Sequence, residues 1–295
     1  YWLGKWSKGI ITLTAGMRYE DVELLNRNYT KADPRRTGKI RIETPNHARA
    51  LLPGFGFNVK ALPILSVFGG VHKGFAPPSA SLYQKAESSV NVEVGMRLTT
   101  NKMKLEAIAF NNNYSNMLGS DLAAQGGQGT LEQFNVGKAM VNGLELMFQY
   151  LPLPKHFAFQ LPIQLSYTYT NTQMKNDFES SAWGHVHYGD EIPYIYKHAF
   201  NAQISLEHKR VEANFGARFN GDMRTTPGQG KIAEREKIPA HVILDASLKV
   251  HVNKNITISL NGINLANKKY LVSRHPSGLR AGHPLGVYGG LRLQL

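Results

Sequence analysis

The chain has 295 residues, no cysteine, and 34 Lys+Arg against 21 Asp+Glu, for a formal charge of +13. The absence of thiols excludes disulfides and thiolate metal sites. The basic residues are scattered in short pairs with no recognition motif, which argues against nucleic acid and leaves anionic lipid or an anionic ligand as partners. No run of about 18 apolar residues occurs, so no membrane-spanning helix is expected. A mean hydropathy of −0.30 does not argue against membrane strands, which carry apolar residues only at alternate positions.

The opening YWLGKWSKG shows no secretory-signal pattern and reads as mid-protein sequence, so residue 1 is expected to be a truncated or processed boundary on the short-turn side. The first strand is expected near 10–24, with Ile11, Leu13, Ala15, Met17 and Tyr19 on one face and Thr12, Thr14, Gly16, Arg18 and Glu20 on the other. A charged, turn-rich stretch (26–47) follows. Strands are then predicted near 48–60 and 64–72, joined by a sharp turn at 60–63. Val90, Val92, Val94, Met96 and Leu98 form a clean apolar row. A tight turn at 100–103 returns the chain through 103–115, where Ala107 to Phe110 are all apolar and the register is ambiguous. A Gly-rich loop (118–130) precedes a strand near 132–151.

A Pro-containing connection (152–160) leads to the alternating row Leu161, Ile163, Leu165, Tyr167 and Tyr169. Phe200 to Leu206, Val211 to Phe219 and Val242 to Val250 make three further rows. The last two strands cover about 255–263 and 287–295, around a tip loop rich in Asn, Lys and Arg. This gives about twelve strands in six hairpins. Short connections near 61, 101, 155, 209 and 254 alternate with long ones near 36, 80, 124, 182, 230 and 275. Such sorting of loops by length has no cause in a soluble β-sandwich. It is the pattern of an antiparallel outer-membrane barrel, with short periplasmic turns and long outer loops.

Several stretches resemble the C-terminal half of the barrel of TonB-dependent outer-membrane receptors, particularly the ferric-dicitrate and siderophore type. They are LTAGMRYE (13–20), LLPGFGFNVK (51–60), VFGGVHKGFAPPS (67–79), SVNVEVGMR (89–97), FNNNYSNML (110–118), NVGKAMVNGLELMFQY (135–150) and GINLANKKYLVSRHPSGLRAGHPLGVYGGLRL (262–293). The last is the most specific. The resemblance implies an all-β transmembrane barrel, with about 12 strands present of the 22 in such receptors. Residues 1–295 are then the C-terminal part of that barrel, without its plug domain and N-terminal strands. The location implied is the bacterial outer membrane, crossed many times. The closing Leu295 departs from the terminal Phe of many outer-membrane proteins.

The implied function is non-enzymatic: TonB-dependent uptake of a ferric chelate, iron dicitrate or a siderophore complex. A haem receptor of the same fold and a passive porin-like channel are the alternatives. No catalytic triad, phosphate loop or dinucleotide fingerprint occurs. The expected partners are the chelate as transported ligand, the TonB complex through the absent N-terminal region, and outer-membrane lipid and lipopolysaccharide. No covalently bound cofactor is expected.

Candidate ligand contacts are outer-loop Arg35, Arg36, Arg224, Arg274 and Arg280, because guanidinium forks suit anionic chelates. The same arginines could bind lipopolysaccharide phosphate or keep a loop solvated. Trp183, with Tyr188, Tyr194 and Tyr196, offers apolar surface. His185 and His187 are the candidate metal or haem pair, since an extended H-x-H sets both rings on one face; loop residues His72, His275 and His283 stand out less. Arg18, Glu20, Glu93, Arg97, Glu145, Arg218, Asp245 and Arg292 fall on the lumen faces, either against a plug or paired with one another along a solvated wall.

Overall fold

A computed structural model describes residues 1–29, 33–39, 42–79, 84–120, 133–135, 137–154, 156–180, 183–275 and 278–294. In chain order the strands are β1 (Trp2–Lys8), β2 (Ile11–Asn28), β3 (Ile42–Leu62), β4 (Leu65–Ala76), β5 (Glu87–Thr99), β6 (Met103–Ser115), β7 (Leu118–Ser120), β8 (Gln133–Asn135), β9 (Ala139–Tyr150), β10 (Phe159–Gln160) and β11 (Ile163–Met174). They continue as β12 (Phe178–Ser180), β13 (Gly184–Val186), β14 (His198–His208), β15 (Val211–Asn220), β16 (Met223–Arg224), β17 (Lys237–Ile238), β18 (His241–His251), β19 (Ile256–Ile263), β20 (Leu271–Ser273), β21 (Arg280–Ala281) and β22 (Gly286–Leu293).

Thirteen of them run in one unbranched antiparallel order, β1-β2-β3-β4-β5-β6-β9-β11-β14-β15-β18-β19-β22, and β10 adds beside β14. The first and last members do not pair, so the sheet is an open wall rather than a closed cylinder. A channel closed from these strands alone is therefore not what the chain forms. The four remaining hairpins, β7-β8, β12-β13, β16-β17 and β20-β21, stand within the long connections.

The alternation of short turns and long loops holds along the whole wall. Its count and parity differ from expectation. Residues 2–8, ahead of the strand expected first near 10–24, form β1 and pair with β2 from Trp2↔Met17 to Lys8↔Ile11. Gly9 makes the tight turn with φ of 56°, a left-handed conformation open to glycine. One extra strand places residue 1 level with the middle of β2, not at the short-turn rim. The signal was weak because Gly4, Lys5 and Lys8 interrupt a seven-residue row.

Other boundaries moved for local reasons. Strand β3 begins at Ile42 despite Pro45 and pairs with β2 as far as Asn28. Arg27 donates to Glu43 at 3.0 Å, and Asp21 takes both His47 and Arg49. Strand β9 begins at Ala139 rather than near 132, because Gly137 turns the chain with φ of 81°.

One cross-strand row shows how faces are sorted: Trp6, Leu13, Phe57, Gly69, Val94, Ala109, Leu144 and Tyr169 are successive partners. The row settles the 107–110 ambiguity, with Ala107 and Ala109 on the apolar face and Ile108 and Phe110 on the other. Side chains of the apolar face stay uncovered; Val94 is 52% and Leu291 65% exposed. An exposed apolar belt of this extent belongs in hydrocarbon, not water. Strands β2 and β3, at 18 and 21 residues, exceed the roughly 9–11 residues a tilted spanning strand needs, so their upper parts rise beyond the belt.

Three direct partner pairs set a phenylalanine over a glycine: Phe57 over Gly69, Phe68 over Gly95 and Phe110 over Gly143. A Cβ added at Gly69, Gly95 or Gly143 would meet the ring at 2.9, 2.7 or 2.8 Å respectively. The ring occupies the volume the missing side chain leaves.

Candidate functional site

Burial is concentrated at the long-loop end. Ala139, Met174, Val186 and Ile192 form a small core, and Phe178 and Trp183 pack against it. Above it the loops 175–197, 221–240 and 264–285 are tied together by polar side chains. Glu191 is the first anchor. Its Oε2 accepts from Arg224 Nε at 2.8 Å and its Oε1 from Lys197 Nζ at 3.4 Å. Arg224 is only 6% exposed, and its Nη2 also donates to the Gly230 carbonyl at 3.0 Å. The Arg224 carbonyl accepts Tyr194 N at 2.9 Å. Arg224 thus stands as a clasp between two loops, with its fork turned inward.

Arg274 ties the third loop to the second. Its Nε donates to the Lys237 carbonyl at 2.7 Å and its Nη2 to the Glu234 carbonyl at 3.2 Å. Tyr194 Oη lies 3.4 Å from Ser273 Oγ and accepts from Arg274 N and His275 N at the same distance. Tyr194 holds φ of 61°, an uncommon conformation for a bulky residue that its surroundings must enforce. Burial pushes the Tyr196 phenol up, so it stays neutral at physiological pH. In the same cluster His241 is buried, stacked on Tyr270 with ring centres 4.7 Å apart.

Sequence reading missed Asn264, which organises the tip loop. It is fully buried with φ of 49°. Its Nδ2 donates to the Lys268 and His283 carbonyls at 2.9 and 2.8 Å, and its Oδ1 accepts Lys268 N at 2.8 Å. Asp245 accepts Asn264 N at 2.8 Å, joining the loop to the wall. The available signal was an asparagine where the strand ends, since Asn tolerates the left-handed region and caps turns with its amide.

The remaining candidates divide into two groups. Arg35, Arg36 and Arg280 are exposed, and none has an ion pair among the described residues. Arg35 and Arg36 ride on a turn built by Asp33, whose carboxylate accepts Thr37 N at 3.0 Å and Gly38 N at 2.9 Å. His185 and His187 share one side of a hairpin end, with ring centres 4.5 Å apart, and His185 Nδ1 lies 3.3 Å from Glu179 Oε1. Among the described residues no group of three or more His, Cys, Asp or Glu is arranged to hold a metal. Most of the Gly-rich segment 118–130 lies outside the described residues, as does Leu295.

On the polar face of the wall Arg18 pairs with Glu20, and Arg97 pairs with Glu106. Arg97 also sits 5.1 Å from the centre of the Phe68 ring, and Arg218 is 3.9 Å from Asp245. Glu93, Glu145 and Arg292 are exposed on the same face. A hydrogen-bonded row continues it, with Ser205 Oγ 2.6 Å from Asn214 Oδ1 and Asn214 Nδ2 3.2 Å from Ser247 Oγ.

Residues 1–265 match the family described as TonB dependent receptor-like, beta-barrel. A relative from Acinetobacter baumannii, named "Probable TonB-dependent siderophore receptor PiuA", is 27% identical over 149 residues, 48% of this chain and 19% of its own. The solved structure of the A. baumannii siderophore receptor PiuA superposes with a TM-score of 0.71 at 18% identity, over 96% of this chain and 40% of that one. The unliganded ferric citrate transporter FecA gives 0.71 at 18%, over 97% and 43%. The copper transporter OprC gives 0.68 at 12%, over 98% and 46%. At these identities the superpositions establish the fold. The chain spans less than half the length of each of these proteins.

Proposed function

The chain belongs to the TonB dependent receptor-like β-barrel family, whose members are outer-membrane receptors and transporters rather than enzymes, and on that premise we propose that it is the C-terminal part of the barrel of a receptor for TonB-dependent uptake of an anionic ferric chelate. In this reading residues 1–295 supply the wall and six outer loops. The plug, the TonB-binding segment and the other strands of a 22-stranded barrel belong to the rest of the receptor. The supporting observation is the open thirteen-strand wall, with every long loop at one end, inside the family match.

Iron citrate and siderophore complexes are commonly anionic, and planar guanidinium forks bind such oxygen donors at any physiological pH. Arg35, Arg36 and Arg280 offer exposed forks for this. Arg224 and Arg274 hold the loops in place for it, and Trp183 adds apolar surface beside the core. The chelate is cargo, so no covalent cofactor is required. The driving force arrives through TonB, so no nucleotide site is required either. The apolar face meets outer-membrane lipid, and the basic loops meet lipopolysaccharide phosphate. The lumen face, with Arg18, Glu20, Glu93, Arg97, Glu145, Arg218, Asp245 and Arg292, borders the plug.

One observation favours a second cargo, haem: the adjacent His185 and His187 rings, in the loop whose Phe178 and Trp183 pack 6.5 Å apart. Titration of the intact receptor with ferric citrate, a ferric catecholate and haem, read by Trp183 fluorescence against a Trp183→Phe control, decides between the cargoes. An anionic ferric chelate is expected to saturate. R35Q, R36Q and R280Q should each weaken it by about tenfold, roughly one charge-assisted hydrogen bond. Saturation by haem alone, lost in His185→Ala, would replace the chelate reading with the haem one.

A further inference from the structure

The short-turn end of the wall carries a second charged feature, far in sequence from the loop arginines. A cleft of about 590 Å³ lies against the turns at 209–210 and 252–255, lined by Lys209, Arg210, His251, Lys254, Asn255 and Arg292 among others. The turns are locked together, since His251 N donates to the Arg210 carbonyl at 2.8 Å. Asn255 Nδ2 donates to the Gln294 carbonyl at 2.6 Å, fixing the end of β22 beside them.

Four cations of this cleft form no ion pair among the described residues, while His251 is paired with Glu212 and Lys209 also borders a neighbouring cleft that holds Glu207 and Glu212. Glu212, on the strand that follows Arg210, is held by Lys249 Nζ at 3.2 Å and His251 Nε2 at 3.0 Å. Lys209, Arg210, Lys254 and Arg292 have no ion pair among the described residues, and no described carboxylate lines the cleft. Four cations without an ion partner around one concavity repel each other and are stabilised when an anion enters.

Lys209, Arg210 and Lys254 lie in the turns, and the face that Arg292 and His251 occupy narrows the choice of anion. Arg292 partners Thr257 across β19 and β22, and Thr257 partners His251 across β18 and β19. All three are on the polar side, opposite the apolar row of Leu248, Leu260, Leu291 and Leu293. A phospholipid phosphate meets the other side of the sheet. An extended polypeptide inside the mouth presents same-face side chains about 7 Å apart, a spacing that lets two carboxylates reach separate cations of the cleft.

We propose that this cleft docks an acidic polypeptide segment, one with at least two Asp or Glu, at the short-turn mouth of the wall. It rests on the receptor reading only for naming that mouth periplasmic. Its test reads peptide contact rather than chelate uptake, so the two can fail separately. A photo-crosslinking residue is placed at Asn255 in the intact receptor, in cells, and its adducts are mapped by mass spectrometry. The expected adduct is an Asp/Glu-rich polypeptide segment, competed by hexaglutamate but not by hexaserine after purification. It should fall at least tenfold in the K209Q/R210Q/K254Q/R292Q variant and stay unchanged in R35Q/R36Q. Heat-modifiable migration of both variants on gels verifies folding. Adducts confined to phospholipid, no adduct, or polypeptide adducts indifferent to the four substitutions would overturn the proposal.

Discussion

The wall and the long loops of the chain are held by different physical means. In the wall, backbone ladders do the holding and the apolar side chains stay uncovered, because their environment is hydrocarbon. In the loops 175–197, 221–240 and 264–285, short hairpins contribute few ladder bonds. Side chains reach across instead: Arg224 to Glu191, Arg274 to two carbonyls, and Asn264 to three backbone groups. Losing one wall side chain therefore changes the solvent match but leaves the ladder. Losing one loop side chain releases a connection.

Three changes sharpen that contrast. The largest effect is expected from Val94→Arg, which sets a charge on the lipid face at a cost of about 2–4 kcal/mol near the bilayer midplane; folded yield in vesicles should drop, while Asn91→Arg on the polar face should assemble normally. Equal yields from the two would mean that the faces are assigned wrongly. Next, Arg224→Ala leaves the part-buried Glu191 without its fork, worth about 1–3 kcal/mol. Limited proteolysis should open 175–197 and 221–240 with little change in the melting of the wall, and a uniform loss of stability would contradict the clasp. A smaller local loosening is expected from Arg274→Lys, which keeps the charge but cannot reach both carbonyls as a fork; hydrogen exchange at 234–238 should report it.

The smallest effect concerns acid. Lys237 Nζ donates to Glu234 Oε1 at 2.6 Å and holds the Glu234 carboxyl below its ordinary value, while the same bond raises Lys237. A lowered carboxyl pKa stabilises the folded loop above the unfolded value, and the contribution disappears as pH falls through the folded one. The lysine side persists until pH passes the raised ammonium value. Protection at 234–237, taken relative to the intrinsic exchange rate at each pH, should thus fall in acid and again above the raised Lys237 value, and Glu234→Gln should abolish the acid arm.

The same contrast explains what the sequence made legible. A wall strand needs only local alternation, and Val90 to Leu98 or Leu144 to Tyr150 display it without any tertiary context. The sorting of long and short connections follows from those strands. What stayed hidden was set by distant partners. Nothing near Arg224 in sequence distinguishes an arginine facing solvent from one that meets a glutamate 33 positions earlier. The two-residue strands β16 and β17 exist because their loop is packed, not because MR or KI favours extension. Strand β1 escaped notice because its pairing partner supplies the order that its own row lacks.

The phenylalanine–glycine pairs also bear on how the wall finds its alignment. Alternation has a period of two, so it penalises a slip of one residue, which would turn every apolar side chain to the wrong face. It is blind to a slip of two. Such a slip would set Phe68 beside Glu93 or Arg97 instead of Gly95, and Phe110 beside Val141 or Glu145 instead of Gly143. Each ring would lose its hollow and meet a side chain. The glycines therefore act as vernier marks: the coarse pattern selects the face, and the ring-and-hollow contacts select which of the even alignments survives.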